Sequence, residues 1–279
     1  MFDSVNAILL TMVITILVMV GYILKCNPLY PVTGLIRDVV TKKMLLWHFS
    51  ALLVVLVLNK VQQLVEKEMK GVEDFTWWVY RTEGNIVYYI QHFFLHDGLT
   101  FILTYFYIIV FTAMMFVSFI VYHAYQENKA FYALFYGIML NYLIAIPFYL
   151  FFPVNEVWYV HSKVEFLIPQ VYPNFEHEYR ALSGLNNCFP SLHTSLSVTM
   201  AVIALKSRLP RIGALYSICA AVIIFSIFYL GIHWVLDMVA GLGLGLFAAT
   251  FALRLSESYA KTVWDVKRGR AIETIDFFK

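Results

Sequence analysis

Long runs without Asp, Glu, Lys or Arg alternate along this chain with shorter charged stretches. Residues 4–24, 44–59, 98–126, 130–155, 181–205 and 212–236 carry none of the four, and a last run, 238–253, is set off only by Asp237. A helix rises 1.5 Å per residue, so a hydrocarbon core of about 30 Å takes roughly 20 apolar residues. The pattern predicts membrane-spanning helices near 5–24, 44–60, 99–122, 131–152, 190–205, 212–230 and 233–254. A cleavable leader is the competing reading of the first run. Its start carries Asp3 with no basic residue, and no small-residue cleavage site follows before Lys25, which favours a retained span.

Composition agrees with the pattern. The chain is 61% hydrophobic and 14% charged, against about 25% charged in soluble domains. So much apolar surface is tolerable where lipid tails solvate it, and a spanning backbone must satisfy its own polar groups, which helices do. The expected fold class is an all-α polytopic transmembrane helical bundle in a single membrane domain spanning 1–279. It divides into an extra N-terminal span (5–24), a core at about 44–254 and a tail at 255–279. A net charge of +2 offers little to nucleic acid, and the oligomeric state is left open.

Basic residues orient the chain. With the N-terminus outside, 14 of the 20 Lys and Arg fall on the cytoplasmic side and 6 on the outer side, the bias that cytoplasmic loops show. The tail is then a cytoplasmic amphipathic or flexible segment. Two long segments, about 60–97 and 153–188, face outward. The first carries Trp77, Trp78, Tyr80, Tyr88 and Tyr89, as an interfacial helix at headgroup level does. Cys26 reads as inside, Cys188 as outside and Cys219 as within a helix, so no intrachain disulfide is expected.

Candidate chemistry gathers in two places. In Asn186-Asn187-Cys188-Phe189-Pro190-Ser191-Leu192-His193-Thr194-Ser195, Asn187 reads as an N-cap and Pro190 as part of the first helical turn. Ser191, His193 and Thr194 then surround the outer N-terminus of a span, where free N–H groups and the dipole favour a phosphate. The same residues also fit a plain helix cap with a histidine at the wet interface. In Gly231-Ile232-His233-Trp234-Val235-Leu236-Asp237, His233 and Asp237 stand at i, i+4. An Asp that accepts Nδ1–H leaves Nε2 as nucleophile or base. A carboxylate inside an apolar run is expensive and marks function by default; the alternative is a pair that only locks two helices together. The helix beginning at Pro190 runs inward and the next returns, so both histidines and two helix N-termini meet at one face. His92 and His96, also four apart, suggest half a metal site, but no further ligands follow, and they read equally as polar positions of the interfacial helix.

Pro190-Ser191-x-His193, followed by Gly231-x-His233-x-x-x-Asp237-x-x-Ala240-Gly241, resembles the last two signature motifs of the type-2 phosphatidic acid phosphatase superfamily. The Pro-Ser-Leu-His wording is closest to its inositol phosphorylceramide synthase-like branch. The motif likeness covers the C-terminal third, and the helix pattern that of the last five or six spans, six forming the phosphatase-like core. The resemblance implies a cofactor-free and metal-independent reaction on a membrane lipid, either a phosphorylated lipid or a phospholipid. His233 would attack phosphorus, Asp237 would orient it, and His193 would protonate the leaving group and then activate water or a lipid alcohol. Ser191, Thr194 and nearby N–H groups would hold the phosphoryl oxygens. Two features depart from the superfamily: its Lys-x6-Arg-Pro motif is absent upstream, and the usual Ser-Arg is here Ser226-Ile227. Arg180, or else Lys163 or His161, is the expected substitute cation. Fewer cations suit a phosphodiester, which points toward headgroup transfer as well as hydrolysis. A non-catalytic lipid-binding or transport protein on the same fold is the alternative, although the spans offer only Asn141, His48 and scattered Ser and Thr as path-lining groups.

Overall fold

The computed structural model describes residues 4–69, 71–179 and 184–276, with side chains of the last stretch described as far as residue 257. Regular structure among them is helical, apart from an isolated parallel bridge between Val154 and Asn187. The chain opens with α1 (Val5–Leu24), α2 (Leu29–Thr41), α3 (Lys43–Glu68), α4 (Thr76–Glu83) and α5 (Ile86–Phe94). Next come α6 (Asp97–Tyr105), a π-helical turn (Phe106–Val110), α7 (Phe111–Ala124) and α8 (Asn128–Phe151). Short α9 (Val157–Val160), α10 (Ile168–Val171) and α11 (Phe175–Tyr179) precede α12 (Leu192–Lys206), α13 (Pro210–Tyr229) and α14 (Val235–Asp276).

Six rods are long and apolar enough to cross a bilayer: α1, α3, the continuous Asp97–Ala124, α8, α13 and the Val235–Glu257 part of α14. These coincide with six of the predicted spans, and the protein is an integral multi-pass membrane protein. The remaining predicted span is α12, apolar but only 15 residues long, about 22 Å at 1.5 Å per residue. Packed against α8, α13 and α14, α12 is enclosed by protein and has no need to match the bilayer's thickness.

Close approach at α12 depends on glycine. A Cβ on Gly245 of α14 would lie 2.5 Å from the Ser195 carbonyl oxygen, and one on Gly137 of α8 would lie 2.8 Å from Thr199 Cγ2. Small residues let helix backbones meet in membranes, and a polar thread joins them here. Asn141 Nδ2 donates to Thr199 Oγ1 (2.9 Å), whose hydroxyl donates to the Gly245 carbonyl (3.1 Å). Asn141 is thus a packing residue of the bundle. His48 likewise sits among Tyr132, Phe135 and Tyr136.

Three local features depart from the sequence expectation. α2 was not predicted, because its 13 residues are too short to span and carry Arg37 and Asp38. It is anchored by buried Leu35 and by Asp38, which accepts from Lys42 (2.5 Å) and His123 (3.0 Å); those two bonds hold the Asp38 carboxyl below its ordinary value. α3 runs on to Glu68 rather than ending near 60, because buried Gln62 and Gln63 face the 184–187 loop and Glu66 accepts from Gln62 (2.7 Å) and from Asn186. The aromatic outer segment forms two helices, α4 and α5, with Trp77, Trp78 and Tyr89 exposed and Val79 and Val87 buried. α5 ends at Phe94, and His96 instead accepts from Gly98 N–H as the N-cap of α6. His92 and His96 therefore do not share a helix.

Candidate active site

The start of α12 is set by the chain before it. Val154 N–H donates to the Asn186 carbonyl (3.0 Å) and Cys188 N–H to the Val154 carbonyl (3.2 Å), holding 186–188 extended. Asn187 therefore does not cap the helix as its residue type suggests. Ser191 is the N-cap, its Oγ accepting from Thr194 N–H at 3.3 Å, and Pro190 lies outside the helix, its carbonyl accepting from Tyr149 (3.2 Å). Ser191 and Thr194 are fully buried. Leu192 and His193, whose first-turn N–H groups have no intrahelical carbonyl, line the cavity described below.

His233 is placed by the turn between α13 and α14. Gly231 adopts φ +80°, and a Cβ there would lie 2.5 Å from the Glu165 carbonyl oxygen, so the outer loop closes directly onto it. Val157 and Trp158 N–H groups donate to the Ile232 and Gly231 carbonyls (3.1 and 2.9 Å). Gln91 clasps the same loop, donating to the Glu165 and Tyr229 carbonyls (2.8 and 2.9 Å). α14 begins only at Val235, so His233 precedes the helix and does not share its face with Asp237. The pair forms by another route. Asp237, in the first turn and fully buried, turns Oδ2 back to accept from Trp234 N–H (3.0 Å) and lies 3.2 Å from His233 Nδ1. Half of a capping box thus doubles as the histidine's partner.

Glu83, at the end of α4, completes that helix start. Its carboxylate accepts from Val235 N–H (2.7 Å) and Leu236 N–H (2.6 Å). The N-terminus of α14, the second of the two helix starts at this face, is therefore already occupied by a carboxylate. Burial raises the Glu83 carboxyl above its ordinary 4.5 despite these bonds. Sequence reasoning passed over Glu83, although it is the sole acid between Asp74 and Asp97.

His193 and His233 share the wall of a cavity of about 420 Å³, within the size range of ligand sites, with ring centroids 6.5 Å apart. His193 stacks on Tyr107 of the π-helical turn (4.0 Å, 18°) and tilts over Phe111 (4.4 Å). Such turns recur at functional sites, but nothing in the local sequence marks this one. Among the described residues neither nitrogen of His193 nor Nε2 of His233 has a hydrogen-bond partner. No Lys or Arg appears among the described lining residues. Lys163 lies 5.7 Å over the Tyr88 ring, away from the cavity, and Arg180 falls outside the described residues. His161 bonds Asn85 through Nε2 (2.8 Å) and accepts from Lys163 N–H (3.2 Å); burial lowers it below the usual 6.5, so it is a neutral structural histidine. Cys188, His233 and Asp237 bring ligand atoms within 4.8 Å of one another. Protein groups already engage all three, with the Cys188 thiol facing the Leu185 and Ile232 carbonyls (3.9 and 3.8 Å).

Fold and site together define a class: a helical membrane protein with a histidine–aspartate pair and a second histidine on one cavity. A family model described as the PAP2 superfamily matches residues 78–251. The chain belongs to that superfamily, the type-2 phosphatidic acid phosphatases, and membership supports a phosphatase-type lipid phosphoesterase. No curated protein and no solved structure matches the chain significantly. The matched stretch leaves α1, α2 and α3 outside it.

Proposed function

We propose that this protein is a membrane lipid phosphoesterase working through a phospho-histidine on His233, with its site on the outer face. The observation that carries the reading is the His233–Asp237 pair. Asp237 engages Nδ1 (3.2 Å) and leaves Nε2 for attack on phosphorus. As the P–Nε2 bond forms, the P–O bond to the leaving alcohol breaks, and His193 gives that oxygen its proton. His193 then removes a proton from water or a lipid alcohol, whose oxygen attacks phosphorus and releases His233. Phosphoryl transfer needs mainly positioning and charge stabilisation, and the N–H groups of Leu192 and His193 serve the phosphoryl oxygens. Ser191 and Thr194 support that turn from behind, and Arg180 is the candidate cation. Transfer of a phospho-headgroup, as in the inositol phosphorylceramide synthase-like branch, is favoured over monoester hydrolysis by the lack of Lys and Arg among the described lining residues. The orientation rests on the bias of basic residues.

The test follows phosphate release from phosphatidic acid, and headgroup transfer from phosphodiester lipids to lipid alcohols, both in EDTA. His233→Ala and His193→Ala are each expected to lose on the order of 10³-fold or more, as when a nucleophile or its proton carrier is removed. Acid-labile, base-stable ³²P on the wild-type chain should vanish in His233→Ala. Turnover that survives both substitutions would refute the two-histidine mechanism, and no turnover of any donor would leave a non-catalytic lipid-binding or transport role.

A further inference from the structure

The helix α2 lies outside the family-matched stretch, at the end of the bundle away from the histidines. α1 lines the histidine cavity through Val5, Ile8 and Met12, and its 20 residues carry the chain about 30 Å away before α2 begins at Leu29. α3 returns to the same cavity and lines it through Asn59 and Gln63. α2 thus joins the far ends of two helices that wall the site. Three strips run along it. Val32, Leu35 and Val39 pack into the bundle. Leu29, Thr33, Ile36 and Val40, at i, i+4, i+7 and i+11 of one helix face, point away from the protein, with Ile36 58% and Val40 74% exposed. Tyr30, Arg37 and Thr41 form a polar strip beside them. An apolar strip so exposed is unfavourable in water, whereas a bilayer interface takes an amphipathic helix lying in its plane with the apolar side down.

Two further observations choose lipid as what covers this strip. Tyr22 of α1, Tyr30 of α2 and Trp47 of α3 are all exposed at this end, the amphipathic aromatics of a headgroup belt. Charge is the other observation. Residues 25–43 hold Lys25, Arg37, Lys42 and Lys43 against one acid, Asp38. Asp38 accepts from Lys42 (2.5 Å) and from His123 of α7 (3.0 Å); Arg37 lies 3.9 Å from it, yet its side chain is 79% exposed. The cations outnumber the acid, and such a cluster beside a span attracts anionic headgroups.

We propose that α2 is an interfacial anchor that recognises the anionic phospholipid headgroups of the leaflet opposite the histidines. Leu29, Ile36 and Val40 enter the acyl boundary, and Lys25, Arg37 and Lys43 meet the headgroups. The anchor holds the far ends of α1 and α3 at a fixed depth and is independent of the reaction at His233.

Depth is tested on the full chain in phosphatidylcholine nanodiscs that contain phosphatidylserine. With Cys26→Ser removing the exposed thiol, nitroxides on Ile36→Cys and Val40→Cys should lie about 5–10 Å below the phosphates, reached by oxygen and not by a nickel chelate. Thr41→Cys should show the reverse. Access by nickel at 36 and 40, or by neither reagent, would put water or another protein segment on this face and overturn the proposal. Headgroup choice is read by photolabelling the wild-type chain with diazirine-tailed phosphatidylserine or phosphatidylcholine. Phosphatidylserine should be favoured about five-fold on residues 26–47, the worth of one basic residue at an anionic surface, and not on residues 143–151 at the other end. Arg37→Gln with Lys43→Gln, or about 0.5 M salt, should remove most of the preference. Equal labelling by the two lipids, or a preference untouched by the paired substitution or by salt, would overturn the proposal. Neither readout needs turnover, so a failed phospho-histidine reading would show separately, in the ³²P experiment.

Discussion

Gly241→Ala should injure catalysis far more than it injures the fold. Gly241 lies one turn beyond Asp237, and a Cβ there would lie 2.7 Å from the Ser191 carbonyl oxygen and 2.9 Å from Thr194 Cβ. Such atoms rest roughly 3.5 Å apart, so α12 and α14 must separate by about 0.5–1 Å. Ser191 is the strut between the two halves of the site. Its N–H donates to the Asp237 carbonyl (3.1 Å) and its carbonyl accepts from Ser195 N–H (3.0 Å). The new methyl therefore pushes His193 away from the His233–Asp237 pair. A misplacement near 1 Å can cost about 10²-fold in rate, so turnover should fall about 10- to 100-fold. Overpacking destabilises by roughly 1–3 kcal/mol, offset by up to about 1 kcal/mol of helix propensity from Gly to Ala, which leaves a modest fall in Tm. A Cβ on Gly243, two residues on, would meet nothing within 4 Å, so Gly243→Ala should keep full activity and gain slightly in stability. Initial rates on a lipid phosphoester in mixed micelles, with fluorescence-detected unfolding, compare the two. Wild-type turnover in Gly241→Ala, or equal damage from Gly243→Ala, would refute the reasoning.

Asp237→Asn keeps both protein contacts, which meet on Oδ2, where an amide carbonyl can sit. It puts its N–H₂ at the buried Oδ1 position, which has no partner among the described residues, so a moderate fall in Tm, worth about 1–3 kcal/mol of stability, is expected. Without the charge that stabilises an imidazolium, kcat should drop about 10²- to 10⁴-fold, and a near-normal rate would remove that electrostatic role. Glu83→Ala leaves the Val235 and Leu236 N–H groups without their acceptor and should destabilise by about 1–3 kcal/mol per orphaned donor that water does not reach; an unchanged unfolding midpoint would contradict this. Glu83 also carries a pH signature. Its folded value lies above its ordinary 4.5, so its contribution is fully present below 4.5 and is lost as pH rises through the folded value. The wild-type midpoint should decline across that window and Glu83→Gln should flatten the decline, whereas equal slopes would argue against it. Tyr107→Leu removes the ring beneath His193, worth about 0.5–1.5 kcal/mol; kcat should fall roughly 3- to 10-fold with KM little changed, and an effect on KM alone would assign Tyr107 to binding.

The membrane class and the helical spans were legible from the chain alone, because a bilayer imposes its demand in one dimension. Every residue of a span must be apolar or internally satisfied over a fixed length, and that leaves charge-free runs anyone can count. The histidines and Asp237 were legible too, since polar groups stand out against apolar runs. Their geometry was not. Asp237 reaches His233 from the first turn of α14 because Trp234 N–H draws its carboxylate backward, not because the two residues share a helix face. Asn187 has the right residue type for a cap, yet pairing with Val154 holds it extended and Ser191 takes the role. Glu83 fills a helix terminus 152 residues away, Tyr107 carries His193 from a different span, and α1 and α3 close a cavity around motifs far downstream. Local periodicity reports what each segment buries, whereas these contacts join segments distant along the chain, and only packing of the whole bundle decides which of them meet.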